Sequence, residues 1–252
     1  MTWRAAGLLG MVLACALTGC VGPAATGKSS GRGAAEINAE LGLAYMQQGD
    51  YEHALEKLKH ALSFDPQLAS ANHYIAEVYQ QIGETKTAET HYRKALSATP
   101  VDPMLLNNFG VFLCRQKRLD EAQTLFMTAA KQPFYKTPEV AYSNAALCAL
   151  QQPDETKAEE YLRTALRLNP RLPAALYEMA ALKFKQQDYL SARAFLQRYF
   201  NAARASPQSL WLGVRVEKQL GDEANAAKYA MRLKEDFPLA AETELLQGQK
   251  GR

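Results

Sequence analysis

The sequence predicts an all-α solenoid in which one helix-turn-helix unit is stacked several times. Hydrophobic residues make up 48% of the chain and charged residues 22%, without the alternating valine, isoleucine and threonine runs that indicate strands. The alanine at position 54 recurs in steps of 34, 34, 36, 34 and 34 residues, as Ala88, Ala122, Ala158, Ala192 and Ala226. An ordinary helical bundle is the alternative, but it does not require so regular a period.

Side-chain sizes within the unit from Leu41 to Pro66 predict how its two helices pack. Leu41 and Tyr45 lie one turn apart on the first helix, and Leu58 on the second helix fills the gap with them. Each such side chain contributes about 1.5 to 3 kcal/mol when buried. Gly49-Asp50 supplies the turn, and Pro66 ends the second helix. Small residues stand where the helices approach closely, at Gly42, Ala54 and Ala61.

These positions resemble the tetratricopeptide repeat family. The small and proline positions return at Ala76, Gly110, Ala146 and Ala180, at Ala95, Ala129 and Ala165, and at Pro100, Pro170 and Pro238. The resemblance covers Ala35 to about Pro238 and implies a right-handed superhelical solenoid of six repeats, 35–68, 69–102, 103–138, 139–172, 173–206 and 207–238. Lys183 replaces an aromatic residue, and Tyr199 and Leu233 replace an alanine, so repeats five and six are expected to pack less closely.

The N-terminal segment has the pattern of a lipoprotein signal peptide, residues 1–19. Arg4 precedes an apolar run from Ala5 to Leu17, which is shorter than the roughly 20 residues of a bilayer span, so a permanent transmembrane helix is the weaker alternative. Leu17-Thr18-Gly19-Cys20 resembles the lipobox of bacterial lipoproteins, which implies cleavage before Cys20 and its acylation, for example with palmitate. Val21 follows in place of an aspartate, which favours lipid anchoring on the periplasmic face of the outer membrane.

The segments around the repeats complete the organisation. Residues 20–33 are predicted to hold the acylated cysteine and a flexible linker, because VGPAATGKSSGRG has four glycines among small polar residues. Two extra residues fall between Gln132 and Pro138, either as a tolerated loop insertion or as a functional bulge. Residues 239–252 are predicted to form a capping helix, from Ala240 to Leu246, and a tail.

No constellation of residues predicts catalysis, a cofactor or a metal site. The histidines lack a paired-ligand spacing, and Glu56 and His60, four residues apart, are typical of a solvated helix face. Nucleophile signatures and a glycine-rich phosphate loop are absent, so an enzyme is the lowest-ranked hypothesis. The net charge of +3 is spread over alternating signs and gives no nucleic-acid footprint.

The resemblance implies that the first helix of each repeat lines a concave surface. The residues assigned to it are mostly apolar and form a predicted groove for a partner segment: Leu43, Met46, Tyr74, Val111, Cys114, Leu147 and Phe184. Chaperone-binding members of the family carry lysine, asparagine and arginine there, whereas this chain has Ala39 and Leu43 at the first two positions. A co-chaperone is therefore disfavoured. The alternative is that some of these side chains pack between neighbouring repeats.

A disulfide between Cys114 and Cys148 is predicted from the compartment and the repeat register. These two cysteines remain once Cys15 leaves with the signal peptide and Cys20 is acylated. Both fall late in the first helix of adjacent repeats, whose axes pack about 8 to 10 Å apart, so the side chains can converge. Two buried thiols are the alternative.

The combination of six repeats, a lipobox and a short glycine-rich linker resembles the PilF/PilW family of type IV pilus biogenesis proteins. That resemblance implies a pilotin, which binds the pilus secretin, carries its subunits to the outer membrane and promotes their multimerisation. We expect a monomer whose partners are the secretin subunit and, through the lipid anchor, the outer membrane. A lipoprotein scaffold of outer-membrane β-barrel assembly and an adaptor of a cell-wall enzyme are the alternatives, because they share the repeat and the lipobox.

Overall fold

The computed structural model describes residues 27–152 and 154–248, which form thirteen α-helices. In chain order they are α1 Gly27–Gln47, α2 Tyr51–Phe64, α3 Ala69–Gln81, α4 Thr85–Ala98, α5 Pro103–Arg115, α6 Leu119–Ala130, α7 Pro138–Ala149, α8 Glu155–Leu168, α9 Pro173–Lys185, α10 Tyr189–Ala202, α11 Pro207–Gln219, α12 Glu223–Asp236 and α13 Ala241–Gly248. No strand occurs in these two ranges, and the predicted all-α class is confirmed.

The first twelve helices form six helix-turn-helix pairs, and α13 packs against the last pair. First helices of neighbouring pairs contact one another, as α1 contacts α3 and α7 contacts both α5 and α9. The second helices pack chiefly against the first helices on either side of them. The array therefore curves with its first helices on the inner, concave side, as in a superhelical repeat array.

A residue in the left-handed region makes the turn within most pairs. Gly49, Gly83 and Gly221 adopt φ values of 78°, 85° and 73° there, and Lys117 and Gln187 adopt 63° and 62° in repeats three and five. A residue with a Cβ pays about 1 kcal/mol or more for this conformation, which favours glycine. In four pairs the second helix then begins after an aspartate whose carboxylate accepts a hydrogen bond from a backbone N–H of the first turn: Asp50, Asp154, Asp188 and Asp222.

Small residues allow the two helices of a pair to approach closely. Ala54 and its equivalents are buried in all six repeats. A Cβ added at Gly42 would lie 2.4 Å from Cγ of Leu58, and one added at Gly110 would lie 2.7 Å from Cε1 of Phe126. Real Cβ atoms do not come this close to other heavy atoms, so glycine is required at both positions by packing.

Repeats five and six keep buried side chains at their atypical positions, and their two helices contact each other less extensively than those of repeats one to four. Lys183, which replaces the aromatic residue, donates a hydrogen bond to Oε1 of Glu159 at 2.8 Å. Burial alone would raise the pKa of Glu159, but hydrogen bonds from Lys183 and two neighbouring side chains outweigh it and lower the pKa to about 2. Tyr199 and Leu233 are buried, so the larger side chains are accommodated at a position where other repeats have an alanine.

Helix α1 begins at Gly27, so the prediction of a flexible linker was wrong for residues 27–33. These residues lack proline and continue into the amphipathic first helix without a helix breaker. The predicted signal peptide, Cys20 and the rest of the linker lie outside the described residues. No helix in residues 27–152 and 154–248 is long and apolar enough to cross a membrane.

The two-residue insertion lies in the loop between α6 and α7, and a disulfide spans it. Cys114 at the end of α5 is bonded to Cys148 at the end of α7, with Cα atoms 5.8 Å apart. Both cysteines are buried, and Nε2 of Gln151 donates to Sγ of Cys114 at 3.3 Å. The bridge connects the inner helices of repeats three and four.

Candidate partner-binding surface

Among the residues that the structure describes, each half of the array has a cavity on the concave surface. The first has a volume of about 310 Å³ and is lined mainly by α1, α3, α5 and α7. The second has a volume of about 470 Å³ and is lined mainly by α9 and α11, with a contribution from α13. Each is large enough to take several side chains of a partner.

Three of the predicted groove residues line these cavities, and the other four do not. Met46 and Val111 line the first cavity, and Phe184 lines the second. The remaining predicted residues lie outside both cavities: Leu43, Tyr74, Cys114 and Leu147. Much of the first cavity wall consists of glutamine, glutamate and asparagine side chains, so this part of the concave surface is more polar than predicted, and partner binding by the predicted groove residues stays a prediction.

A chain of hydrogen-bonded polar side chains runs along the first cavity from α3 to α7. Asn108 donates to the carboxylate of Glu77, and its Nδ2 lies 3.2 Å from Nε2 of His73. Asn107 donates to Oδ1 of Asn108 at 3.3 Å, and Asn144 donates to Oδ1 of Asn107 at 2.9 Å. His73 and Asn107 are buried. The chain of bonds connects three inner helices and holds the amide groups in fixed orientations.

The composition of the first cavity indicates what it can bind. The Nδ2 group of Asn108 is already engaged by Glu77 and His73, so Asn108 can accept through Oδ1, whereas Asn144 can both donate and accept, when a segment with main-chain groups is laid across them. Met46 and Val111 offer apolar contact beside these amides. The cavity therefore fits a peptide segment that presents both backbone and apolar side chains.

The second cavity combines aromatic walls with a cation. The guanidinium of Arg215 lies 4.3 Å from the centroid of the Phe184 ring, which is a cation–π distance. Tyr177 and Trp211 supply further aromatic surface, and Glu242 of α13 lines one side. Burial raises the pKa of Tyr177, and nearby carboxylates add to it, so the phenol stays neutral. This cavity fits an aromatic or anionic side chain of a partner.

The polar chain was missed by sequence reasoning, although a signal existed. Asn108 and Asn144 stand at the same position of adjacent repeats, and Asn107 precedes the first of them. Only the packing of neighbouring first helices shows that these amides meet. Within the residues described, no group of three or more His, Cys, Asp or Glu side chains is placed to hold a metal ion.

Comparison with known proteins identifies the repeat and its relatives. A TPR repeat model matches residues 42–83, and a tetratricopeptide repeat model matches residues 69–102 and 140–172. The chain is 36% identical over 255 residues to the type IV pilus assembly protein PilF of Pseudomonas aeruginosa, and the match covers 99% of this chain and 100% of that protein.

Two solved structures of pilus proteins share the fold. The structure of Pseudomonas aeruginosa PilF matches with a TM-score of 0.78 and 34% identity, covering 88% of this chain and 99% of that one. The structure of PilW, described as a widely conserved type IV pilus biogenesis factor, matches with a TM-score of 0.78 and 31% identity, covering 84% and 98%. The superhelical repeat fold is therefore shared over nearly the full length of both proteins.

Proposed function

The chain belongs to the tetratricopeptide-repeat family of type IV pilus assembly proteins that includes PilF and PilW, and we propose that it acts there as a pilotin. In this proposal it is a lipoprotein on the periplasmic face of the outer membrane, anchored through Cys20. It binds the secretin subunit of the pilus, brings it to the outer membrane and promotes its multimerisation. Its role is that of a binding protein rather than an enzyme.

The full-length similarity to PilF is the observation that carries the proposal. Repeat proteins of other kinds match a smaller part of the chain at lower identity, because the small and aromatic positions of the repeat recur in all of them. The match to PilF instead covers 99% of this chain, including the segment with the lipobox. The concave surface supports the binding role, since it offers two cavities of suitable chemistry.

Replacement of Cys20 tests whether anchoring and partner binding are separate properties. We expect Cys20→Ala to leave the repeat domain folded and able to bind the secretin subunit, because the residue lies outside the repeats. Secretin multimers in the outer membrane should be lost. Membrane fractionation and immunoblotting of multimers make the measurement, and a Cys20→Ala protein that still pellets with membranes and supports multimers would contradict the proposal.

Replacement of Met46 tests whether the partner occupies the first cavity. We expect Met46→Ser to weaken secretin binding by about tenfold, with a change of only a few degrees in melting temperature, since a wall residue is lost and the core remains. Leu43→Ser is the matched control, because Leu43 lies on the same helix but outside the cavity. Equal loss of binding in both variants would contradict binding in the first cavity. It would instead support the longer apolar groove predicted from the sequence.

A gene deletion separates the proposed function from its two alternatives. Loss of secretin multimers and of twitching supports the pilotin. A broad loss of outer-membrane porins would instead indicate β-barrel assembly, and altered cell-wall turnover would indicate an adaptor of a cell-wall enzyme. Either of those results with intact secretin multimers would overturn the proposal.

A further inference from the structure

One edge of the array carries the N-terminal ends of all the first helices. The loops that join each repeat to the next lie at this edge, which we call the N-terminal edge: 65–68, 99–102, 131–137, 169–172 and 203–206. Arg32, near the start of α1, lines one cavity together with Asp65 from the loop after α2 and Met104 from the start of α5. The start of α1 at Gly27 therefore lies at the same edge, and seven peptide steps separate it from Cys20.

Large apolar side chains are exposed along this edge. Phe134, in the loop with the two-residue insertion, is 94% exposed, and Val101 in the preceding loop and Met104 in the first turn of α5 are 63% and 59% exposed. The two loops are neighbours, because Tyr135 of the second loop packs against a buried cluster that contains Leu106, in the first turn of α5. Phe64, the last residue of α2, and Leu168, the last residue of α8, are also exposed at this edge. Exposed apolar groups in such a row indicate a surface that is covered in the working protein.

Basic side chains flank the most exposed of these residues. Lys131 and Lys136 stand on either side of Phe134, both are exposed, and neither forms a side-chain hydrogen bond or ion pair within the described residues. Acidic residues also lie at this edge, with Asp102 in the preceding loop and Glu139 in the first turn of α7. Asp102 accepts hydrogen bonds from two backbone N–H groups at the start of α5, so its carboxylate is already partnered.

We propose that the N-terminal edge, through Phe134, Val101 and Met104, inserts into the headgroup region of an anionic phospholipid bilayer. A protruding aromatic residue between two lysines is suited to the membrane interface, where the ring enters the apolar boundary and the ammonium groups meet lipid phosphates. Seven peptide steps reach at most about 25 Å, so an acyl chain on Cys20 would hold this edge, rather than the opposite one, beside the bilayer. That last step rests on the proposed lipid anchor.

This membrane contact has a consequence for the partner-binding surface. With the N-terminal edge on the bilayer, the opening of the concave surface faces parallel to the membrane plane. Its cavities then lie in the periplasm close to the membrane. The two-residue insertion then has a function, since it provides the loop that carries Phe134.

Site-specific labelling tests the proposal with the full-length protein in vesicles of phosphatidylethanolamine and phosphatidylglycerol. Phe134→Cys and Leu190→Cys are each labelled with an environment-sensitive nitrobenzoxadiazole dye. Leu190 is the matched control, because it is 68% exposed and lies at the start of α10, on the opposite edge. We expect the dye at 134 to be quenched by lipids with nitroxide-labelled acyl chains, and its quenching by aqueous iodide to be about threefold weaker than at 190.

Charge reversal gives a second measurement in the same system. Lys131→Glu with Lys136→Glu, in the Phe134→Cys background, should lower membrane insertion of the dye by about tenfold, and added salt should act in the same direction. Equal iodide quenching at 134 and 190, or insertion that is insensitive to charge reversal, would overturn the proposal. Mass spectrometry of the same samples reports acylation of Cys20, so failure of the anchor is recognised separately from failure of the edge to bind lipid.

Discussion

Removal of the disulfide between Cys114 and Cys148 should lower stability by an amount that follows from the chain it closes. The bond joins residues 34 apart in sequence. In the chain-entropy model, cross-linking a loop of this length lowers the conformational entropy of the denatured state. This raises the free energy of unfolding by about 4 kcal/mol at 25 °C. For a domain of this size, a loss of about 4 kcal/mol lowers the melting temperature by roughly 8 to 15 °C.

Two perturbations separate the covalent bond from the packing of its sulfur atoms. Reduction of the wild-type protein breaks the bond and keeps both thiols, whereas Cys114→Ala with Cys148→Ala also removes two buried sulfur atoms. We expect the reduced protein to show most of the loss and the double variant to lose a further 1 kcal/mol or so. Because each repeat contacts only its neighbours, the loss should be concentrated in α5 and α7.

Denaturant unfolding monitored by circular dichroism, with amide hydrogen exchange for each helix, makes the measurement. If the oxidised and reduced proteins unfold within about 1 kcal/mol of each other, the entropic argument fails. Quantitative labelling of both cysteines in the denatured, unreduced protein would show that the bond does not form at all.

The remaining predictions concern packing and charge within the repeats. Gly110→Ala should destabilise by about 1 to 3 kcal/mol, because its Cβ would press on the buried Phe126 ring, whereas Gly33→Ala, with nothing within 4 Å, should not; equal midpoints in urea would refute the packing argument. The lowered pKa of Glu159 stabilises the fold by about 1 to 2 kcal/mol above pH 4.5, and this contribution is lost as the pH falls towards about 2. Lys183→Met should therefore cost stability at pH 7 and much less at pH 2.5, and a cost that does not depend on pH would contradict the role of the ion pair.

The repeat period predicted the helix pairs because the same physical requirement recurs in each unit. A small residue is needed wherever two helix axes approach, so Ala54 and its equivalents mark the close contacts directly in the sequence. The start of α1 was not predicted, because glycine and serine between Gly27 and Gly33 suggest a linker when they are considered without the helix that follows.

Contacts between repeats were harder to predict than contacts within them. Lys183 was interpreted as a packing defect, since its partner Glu159 lies 24 residues earlier and on a different helix. The polar chain through Asn107 and Asn144 joins residues 37 apart, and its existence depends on the rotation of one repeat against the next. A pattern within one helix contains no information on that rotation, so the polarity of the first cavity could not be derived from it.

The disulfide also has a mechanical consequence for the array. The first helices contact one another along the inner side of the curved array. When the curvature changes, the spacing between the outer, second helices changes as well. A covalent bond between α5 and α7 fixes the spacing of one inner contact near the middle of the array. The spacing between repeats three and four is therefore less free to change under load than the other inner contacts, and the first cavity, which reaches α5 and α7, includes this fixed contact, whereas the second lies on its C-terminal side. When one end of the array is strained, repeats three and four are then expected to rotate together as a linked pair, with little change in the spacing between them.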